Sequence, residues 1–182
     1  LTFFKIGWSN LLITNPRDLE AFVKELGKVK FTVITGVNTL FNALLNYEPF
    51  KEVDTSRVKV VTAGGMAMQK AVAERWKAQV GVPIIEGYGL TESSPIAVSN
   101  PLDAKEFSGM IGLPVPSTEV SIRDDEGNEL PLGQAGELCL RGPQIMKGYW
   151  QRPADTQSAM TGDFFRSGDI GTMDEDGFVF IT

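Results

Sequence analysis

Short β-branched runs alternate with helical segments through the first hundred residues, and this order limits the folds that the chain can adopt. Strand-like runs lie at residues 31–35, 58–62 and 82–85, and helical periodicity lies between them at residues 40–45 and 67–80. Strands that alternate with helices form βαβ units and a mainly parallel sheet with flanking helices. We therefore predict an α/β fold in which the strands end at a common edge.

A further amphipathic helix is predicted ahead of the first strand. Asn15 is its predicted N-cap, with Pro16 at the first helical position. Its apolar face recurs at helical spacing and consists of Leu19, Phe22, Val23 and Leu26. We expect this face to be core and assign it no role in ligand binding.

The pattern changes after about residue 100, where helical periodicity gives way to short alternating runs with turns between them. Strands are predicted at residues 118–123, 136–141, 169–173 and 178–181, and a short helix at residues 153–160. We therefore predict an α/β subdomain at residues 1–104, followed by a smaller antiparallel, barrel-like β subdomain at residues 105–182.

Composition excludes several functional classes. The net charge of −6 argues against general nucleic-acid binding, which needs clustered Lys and Arg. The 182 residues include no histidine, so Ser-His-Asp catalysis, Cys-His catalysis and His-based zinc sites are excluded. The single cysteine, Cys139, lies between two leucines of a predicted strand, where we expect a buried thiol rather than a nucleophile.

The two ends of the sequence bear on how complete it is. Leu1 and Thr182 both lie in apolar, core-like stretches, whereas chain termini are usually poorly ordered. We therefore expect an internal piece of a longer protein. No apolar run approaches the ~20 residues that cross a bilayer, and no signal peptide is recognisable.

The stretch at residues 86–95 concentrates groups that suit a nucleotide and its metal ion. Tyr88 offers a flat ring for a base, while Thr91 and Glu92 offer oxygens for phosphate and Mg²⁺. Glycines on both sides of Tyr88 are expected to permit backbone conformations that a side chain would forbid. The alternative interpretation is a tight turn with a structural tyrosine and a helix-capping Thr-Glu pair.

Gly64 and Gly65 follow the second predicted strand and precede a helix. Right-handed crossovers would bring them to the same sheet edge as residues 86–92. Alone they are weak evidence, because two glycines at such a turn usually serve only to turn the chain. No Gly-x-Gly-x-x-Gly fingerprint of a dinucleotide site follows them.

Three strings in the second half could each be simple loop sequence. They lie at residues 111–116, 136–150 and 166–171. We expect the aromatic pair Tyr149-Trp150 to pack against the protein, and Glu137 to form an ion pair or a structural hydrogen bond. None of the three strings identifies a function on its own.

The string Tyr-Gly-Leu-Thr-Glu-Ser at residues 88–93, followed in order by these three strings, resembles the core motifs of the adenylate-forming superfamily. This superfamily comprises acyl-CoA synthetases, luciferases and the adenylation domains of peptide synthetases. Residues 13–18, 36–42 and 148–153 are similar to those of bacterial long-chain fatty acyl-CoA synthetases in particular. The resemblance covers essentially the whole chain.

The resemblance implies a ligase reaction in two steps. A fatty acid carboxylate attacks the α-phosphate of Mg·ATP to give acyl-adenylate and pyrophosphate, and the thiol of coenzyme A then displaces AMP. The expected substrates are a long-chain fatty acid, ATP and coenzyme A, with Mg²⁺ as cofactor and the cytoplasm as location. Peripheral contact with the inner face of the membrane, and a homodimer, are left open.

The resemblance also assigns roles to individual residues. Thr91 would bond the α-phosphate and Glu92 would hold Mg²⁺, so both are expected to be catalytic; the alternative for Glu92 is a capping or salt-bridged acid. Tyr88 would lie against adenine, and Asp169 would accept hydrogen bonds from the ribose hydroxyls unless it is an ordinary loop cap. The other expected nucleotide-binding residues are Gly64 and Gly65, which would line the adenine pocket and acyl tunnel, and Glu86 and Gly87, at the base and acyl pocket.

Parts of the family's machinery are not among these residues: a Ser/Thr/Gly-rich phosphate loop, an Asp-Arg hinge, and a C-terminal domain whose lysine balances charge during adenylation. We therefore expect a fragment that does not turn over substrate by itself. Two alternatives stay open, an adenylation domain for another carboxylic acid and a non-catalytic binding module. The missing dinucleotide fingerprint disfavours an oxidoreductase.

Overall fold

The structure is a computed structural model that describes residues 2–182. The α-helices in this range are α1 (Thr2–Lys5), α2 (Leu19–Leu26), α3 (Asn38–Leu45), α4 (Lys70–Val80) and α5 (Pro153–Ser158). Short 3₁₀ turns lie at Glu48–Glu52 and Thr91–Ser93. Across residues 2–182, no helix is both long enough and apolar enough to span a membrane.

The strands form two sheets of different character. The first five are β1 (Val33–Gly36), β2 (Val60–Ala63), β3 (Ile84–Tyr88), β4 (Val98–Ser99) and β5 (Leu113–Pro114). The remaining strands are β6 (Glu119–Arg123), β7 (Gly136–Arg141), β8 (Met160–Thr161), β9 (Phe164–Met173) and β10 (Val179–Ile181). Both the predicted α/β region and the predicted antiparallel region are therefore present.

The first sheet has the order β1-β2-β3-β4-β5. Its first three strands are parallel, as predicted, and β4 and β5 extend it in antiparallel pairs. Ile34, Val61 and Ile84 lie in register across the parallel strands, and all three are buried. This row joins the first core, in which Phe41 of α3 and Trp76 of α4 are fully buried.

The start of α2 differs from the prediction. Asp18 is the N-cap, and its Oδ1 accepts a hydrogen bond from the Ala21 N–H at 3.0 Å. Asn15 Oδ1 accepts the Arg17 N–H at 3.2 Å instead, in a turn outside the helix. The predicted cap at Asn15 is wrong because Asp18, directly before the apolar face, satisfies the first free amide itself.

The second sheet is antiparallel, with the order β10-β9-β7-β6, and β8 pairs with β9. Leu138, Leu140 and Val179 are fully buried in its core. This second core also includes Ala97 and Val98, which belong to the segment that leads into β4 of the first sheet. The two sheets are thus joined by shared packing as well as by the chain.

The strand β5 lies beyond residue 104, yet it pairs with β4 in the first sheet. A backbone bridge between Gly112 and Val179 connects the same segment to the second sheet. The boundary between residues 104 and 105 stays a prediction, and the connector around it makes contacts on both sides.

Candidate functional site

The carboxyl ends of β2 and β3 lie side by side. Ala63, the last residue of β2, pairs with Glu86 of β3, and Gly64 follows directly. A Cβ on Gly64 would lie 3.2 Å from the Gly87 carbonyl oxygen, so a side chain would crowd β3. The prediction that the two glycine-containing segments share one sheet edge is confirmed.

Glu86 lies within β3 rather than in a loop after it, and its residue surface is only 8% exposed. Its Oε1 accepts a hydrogen bond from the Met68 backbone N–H at 3.0 Å. Burial raises the pKa of the Glu86 carboxyl, and the hydrogen bond from Met68 offsets part of that rise. The carboxyl therefore anchors the loop between β2 and α4 onto β3.

Backbone conformation does not explain the two glycines beside Tyr88. Neither Gly87 nor Gly89 has a positive φ, so the expectation of special backbone angles is wrong. A Cβ on Gly89 would lie 1.7 Å from the Pro95 carbonyl oxygen, because the chain folds back tightly there. A Cβ on Gly87 would meet Val98 O at 3.5 Å, an ordinary contact, so the fold itself does not demand glycine at position 87.

Tyr88 and Asp169 meet across the two sheets. The Tyr88 hydroxyl donates a hydrogen bond to Asp169 Oδ2 at 2.5 Å, although 81 positions separate the two residues. Burial raises the pKa of the Tyr88 phenol, and the bond to the Asp169 carboxylate raises it further. Two residues predicted to bind opposite ends of a nucleoside are thus brought together.

A 3₁₀ turn carries Thr91 and Glu92, and a buried serine holds that turn. Ser93 is fully buried. Its Oγ accepts the Leu90 N–H at 2.9 Å and donates to the Pro95 carbonyl oxygen at 2.8 Å. Thr91 is exposed and Glu92 is half-buried at the same edge. Ser93 was not among the predicted site residues; its hydroxyl, one residue past the Thr-Glu pair, is the signal that could have identified it.

The loop after β7 reaches the Thr-Glu turn. The Met146 N–H donates to the Glu92 carbonyl oxygen at 2.7 Å, and the Tyr149 hydroxyl donates to Glu92 Oε1 at 2.8 Å. This hydrogen bond raises the pKa of the Tyr149 phenol. The expectation that Tyr149-Trp150 only packs is wrong: Tyr149 bonds the predicted metal ligand, and Trp150 is 87% exposed.

Glu137 and Cys139 on β7 behave as expected. Glu137 Oε2 accepts a hydrogen bond from Arg166 Nε at 2.7 Å, which confirms the predicted ion pair. Cys139 is fully buried, and burial raises the pKa of its thiol to about 11. A thiol with this pKa is almost entirely protonated near neutral pH, so Cys139 is not a nucleophile.

The described residues contain no cluster of side chains that could bind a metal ion without other ligands. Within residues 2–182, no group of three or more His, Cys, Asp or Glu side chains could hold a metal ion by itself. Mg²⁺ often takes only one or two protein carboxylates, and substrate phosphates and water complete its coordination. The lone Glu92 carboxylate at the sheet edge fits such a partial site.

The same arrangement of elements occurs in known proteins. The family model described as AMP-binding enzyme matches residues 1–150, which is most of the chain. The chain belongs to the AMP-binding enzyme family.

Individual relatives are similar over nearly the whole chain. The long-chain-fatty-acid–CoA ligase of Yersinia pestis is 56% identical over 181 residues, which is 100% of this chain and 32% of that protein. The chain spans about a third of the length of the curated relatives it matches.

Two solved structures have a similar fold over most of this chain. The anthranilate CoA ligase AuaEII in complex with anthranoyl-AMP matches with a TM-score of 0.88 and 28% identity, over 97% of this chain and 34% of that one. ATP-bound MatB from Rhodopseudomonas palustris matches with a TM-score of 0.80 and 31% identity, over 94% of this chain and 33% of that one.

Proposed function

We propose that the chain is part of a long-chain fatty acid–CoA ligase. The complete protein would join a fatty acid to coenzyme A through an acyl-adenylate, with release of AMP and pyrophosphate. The observation that carries the proposal is the 56% identity, over the full chain, to a long-chain-fatty-acid–CoA ligase. The adjacency of Tyr88 and Asp169 at the candidate site supports it independently.

The nucleoside half of ATP would bind between the two sheets. Tyr88 would present its ring to adenine, and Asp169 would accept hydrogen bonds from the ribose hydroxyls. Gly64 and Gly65 would leave room for the base, and the close approach of Gly64 to the Gly87 carbonyl keeps their loop against β3. Gly87 would line the base and acyl pocket; because the fold leaves space for a Cβ there, a bound ligand would be the reason for glycine.

Glu86 takes an indirect part in this proposal. Its carboxyl holds the Met68 backbone N–H and so fixes the loop that contains Gly64 and Gly65. Glu86 would therefore shape the base and acyl pocket indirectly, through the backbone of that loop.

The phosphates would meet the Thr91–Ser93 turn. Thr91 would donate its exposed hydroxyl to the α-phosphate, and Glu92 would hold Mg²⁺ with Tyr149 fixing the orientation of its carboxylate. The ion, when bound, would neutralise phosphate charge. Attack of one anion on another needs positioning and charge neutralisation more than proton transfer, so the lack of histidine is compatible with this chemistry.

The two predicted subdomains would each supply part of the binding site. Residues 1–104 would form part of the nucleotide- and acyl-binding subdomain, and residues 105–182 the β-rich subdomain that supplies Asp169. These residues alone would not turn over substrate. ATP and coenzyme A as substrates would place the reaction in the cytoplasm. The partitioning of long-chain acids into bilayers would bring the protein into peripheral contact with the inner face of the membrane.

The test is ATP–pyrophosphate exchange by the complete protein, driven separately by palmitate, acetate, benzoate and a mixture of amino acids. We expect exchange with palmitate and much less with the others. Exchange driven only by another acid would keep the adenylation chemistry and reject the fatty acid. No exchange with any acid, in folded protein with Mg·ATP, would contradict the proposal and favour a non-catalytic binding module.

Two variants test the assigned roles in the same assay. Glu92→Ala should lose Mg-dependent exchange, whereas Glu126→Ala, in the exposed turn after β6, serves as the matched control and should not. Normal Mg-dependent exchange by Glu92→Ala would refute the metal role. An unchanged affinity for ATP in Asp169→Ala would refute the ribose role.

A further inference from the structure

Asp169 lies in an irregular part of β9. Glu137 pairs with Ile170, and Cys139 pairs with Arg166, so one residue of β7 faces three residues of β9 between these pairs. Those three are Ser167, Gly168 and Asp169. Extra residues in one strand of an antiparallel pair form a bulge, which bends the strand and re-aims side chains. Asp169 lies in this bulge, and its Oδ2 accepts a hydrogen bond from Tyr88 of the other sheet.

Glu137 holds this bulge with both carboxylate oxygens. Its Oε1 accepts the Gly168 N–H at 3.0 Å, and its Oε2 accepts Arg166 Nε at 2.7 Å. The Glu137 side chain is only 13% exposed. Gly168 has a φ of +79°, a conformation that favours glycine, and it has no partner in the register between β7 and β9. The carboxylate therefore satisfies the amide that the bulge removes from strand pairing.

We propose that Glu137 is a positioning residue for ribose recognition, because it fixes the bulge that carries Asp169. This inference rests on the ribose role of Asp169 proposed above. Glu137 itself lies one step away from the nucleotide: it bonds Gly168 and Arg166, on the two sides of Ser167, and Asp169 follows directly. Loss of its carboxylate removes the hydrogen bonds to Gly168 and Arg166 that hold the bulge, and the Asp169 side chain then no longer has a fixed position.

The geometry predicts a graded effect of substitution. Glu137→Ala removes both acceptors, so Gly168 N–H and Arg166 lose their partner. Glu137→Gln keeps one oxygen acceptor for Gly168 but offers an amide N–H to Arg166, which is itself a donor. The glutamine variant should therefore lie between wild type and Glu137→Ala.

The experiment compares ATP with 2′,3′-dideoxy-ATP, which lacks both ribose hydroxyls, in palmitate-driven pyrophosphate exchange by the complete protein. The measured quantity is the ratio of kcat/KM for the two nucleotides. Asp169→Ala should abolish the preference for ATP, and Glu137→Ala should reduce it roughly 10-fold, as expected for a lost bond to a charged group. The reduction should arise in KM for ATP, with kcat little changed.

Two further variants complete the design. Glu119→Ala removes an exposed acid that pairs with Arg141 on the same β7 strand, and it should keep the full preference for ATP. The double variant Glu137→Ala/Asp169→Ala should show no larger loss of preference than Asp169→Ala, because Glu137 acts only through Asp169.

The outcomes separate the two proposals. If Asp169→Ala loses the preference while folded Glu137→Ala and Glu137→Gln keep it in full, the positioning role of Glu137 is refuted and the ribose role stands. If Asp169→Ala keeps the preference, the ribose role itself is refuted. Should Glu137→Ala not fold, Glu137→Gln decides: an unchanged ratio refutes the inference, and an intermediate ratio with a raised KM for ATP supports it.

Discussion

The α/β region and the antiparallel region close their cores in different ways. The first core centres on Trp76, with Phe41 at 4.7 Å edge-on and Phe50 stacked at 5.6 Å between ring centroids. All of its buried residues lie between Phe22 and Ile84, and Phe107 packs against it from the later part of the chain. The second core is completed by Ala97 and Val98 from the segment after the Thr-Glu turn. Residues that hydrogen-bond with the first sheet thus pack with the second.

This difference explains where the candidate site lies. The segment at residues 84–98 starts in the first core at Ile84 and ends in the second at Val98. Tyr88 packs against the second core and bonds Asp169 of the second sheet. The chain therefore passes from one core to the other within residues 84–98, and the geometry of the candidate site depends on both cores.

The largest expected effect breaks the first core alone. Trp76→Ala should cost about 3–5 kcal/mol of unfolding free energy, because it removes a fully buried aromatic side chain and leaves a cavity. In hydrogen exchange of the complete protein, the added exchange should be confined to the α/β region. The matched variant Leu138→Ala in the second core should cost about 2–5 kcal/mol and also raise exchange in residues 88–98.

The two exchange patterns decide whether the cores differ as described. If Trp76→Ala raised hydrogen exchange in β6 and β7 as much as in β1–β3, the first core would not be independent of the second. If Leu138→Ala left hydrogen exchange in residues 88–98 unchanged, the packing of this segment against the second core would not stabilise it.

A smaller effect separates the two glycines that flank Tyr88. Gly89→Ala should destabilise the complete protein by about 1–3 kcal/mol, because its Cβ would overlap the Pro95 carbonyl oxygen. Gly87→Ala should leave the urea unfolding midpoint almost unchanged, since its Cβ meets only ordinary contacts, while it weakens palmitate-driven exchange. Equal loss of stability in both variants would contradict this account.

The smallest expected effect concerns the pH dependence at Glu86. Burial raises its folded-state pKa above the unfolded value, so the stability it contributes is present below the unfolded pKa and is lost as pH rises through the folded pKa. Glu86→Gln keeps an acceptor for Met68 and has no charge to lose. Its unfolding free energy relative to wild type should therefore rise as the pH increases from about 4.3, the pKa of an unperturbed glutamate, towards neutral pH.

Urea unfolding of both proteins across that range checks the Glu86 prediction. A difference between variant and wild type that stayed constant with pH would show that the Glu86 carboxyl does not titrate abnormally. Glu126→Gln, an exposed acid in the turn after β6, is the matched control and should show no such trend.

Sequence periodicity predicted the architecture well where one face of an element is buried. The apolar face of α2 was predicted correctly, and the predicted helix at residues 67–80 ends at Val80 as expected, although it begins at Lys70. Local pattern placed the end of β3 too early, because Glu86 and Gly87 look like turn residues. Pairing with β2 on one side and β4 on the other extends that strand through Tyr88.

The candidate site was predictable only in part for a similar reason. The bond between Tyr88 and Asp169 joins residues 81 positions apart, and that between Tyr149 and Glu92 joins residues 57 apart. No local spacing predicts such pairs. Motif resemblance assigned Tyr88 and Asp169 to the same nucleoside without predicting a bond between them, and nothing suggested the bond between Tyr149 and Glu92. The bulge that aims Asp169 is likewise a property of strand pairing rather than of the Ser-Gly-Asp string alone.

A double-mutant cycle between Tyr88 and Asp169 measures how strongly their hydrogen bond couples the two regions at the candidate site. Tyr88→Phe, Asp169→Ala and the double variant of the complete protein would be compared by urea unfolding. We predict a coupling energy of about 1.5 kcal/mol, as for a hydrogen bond to a charged group. Effects that add to within about 0.5 kcal/mol would contradict this coupling.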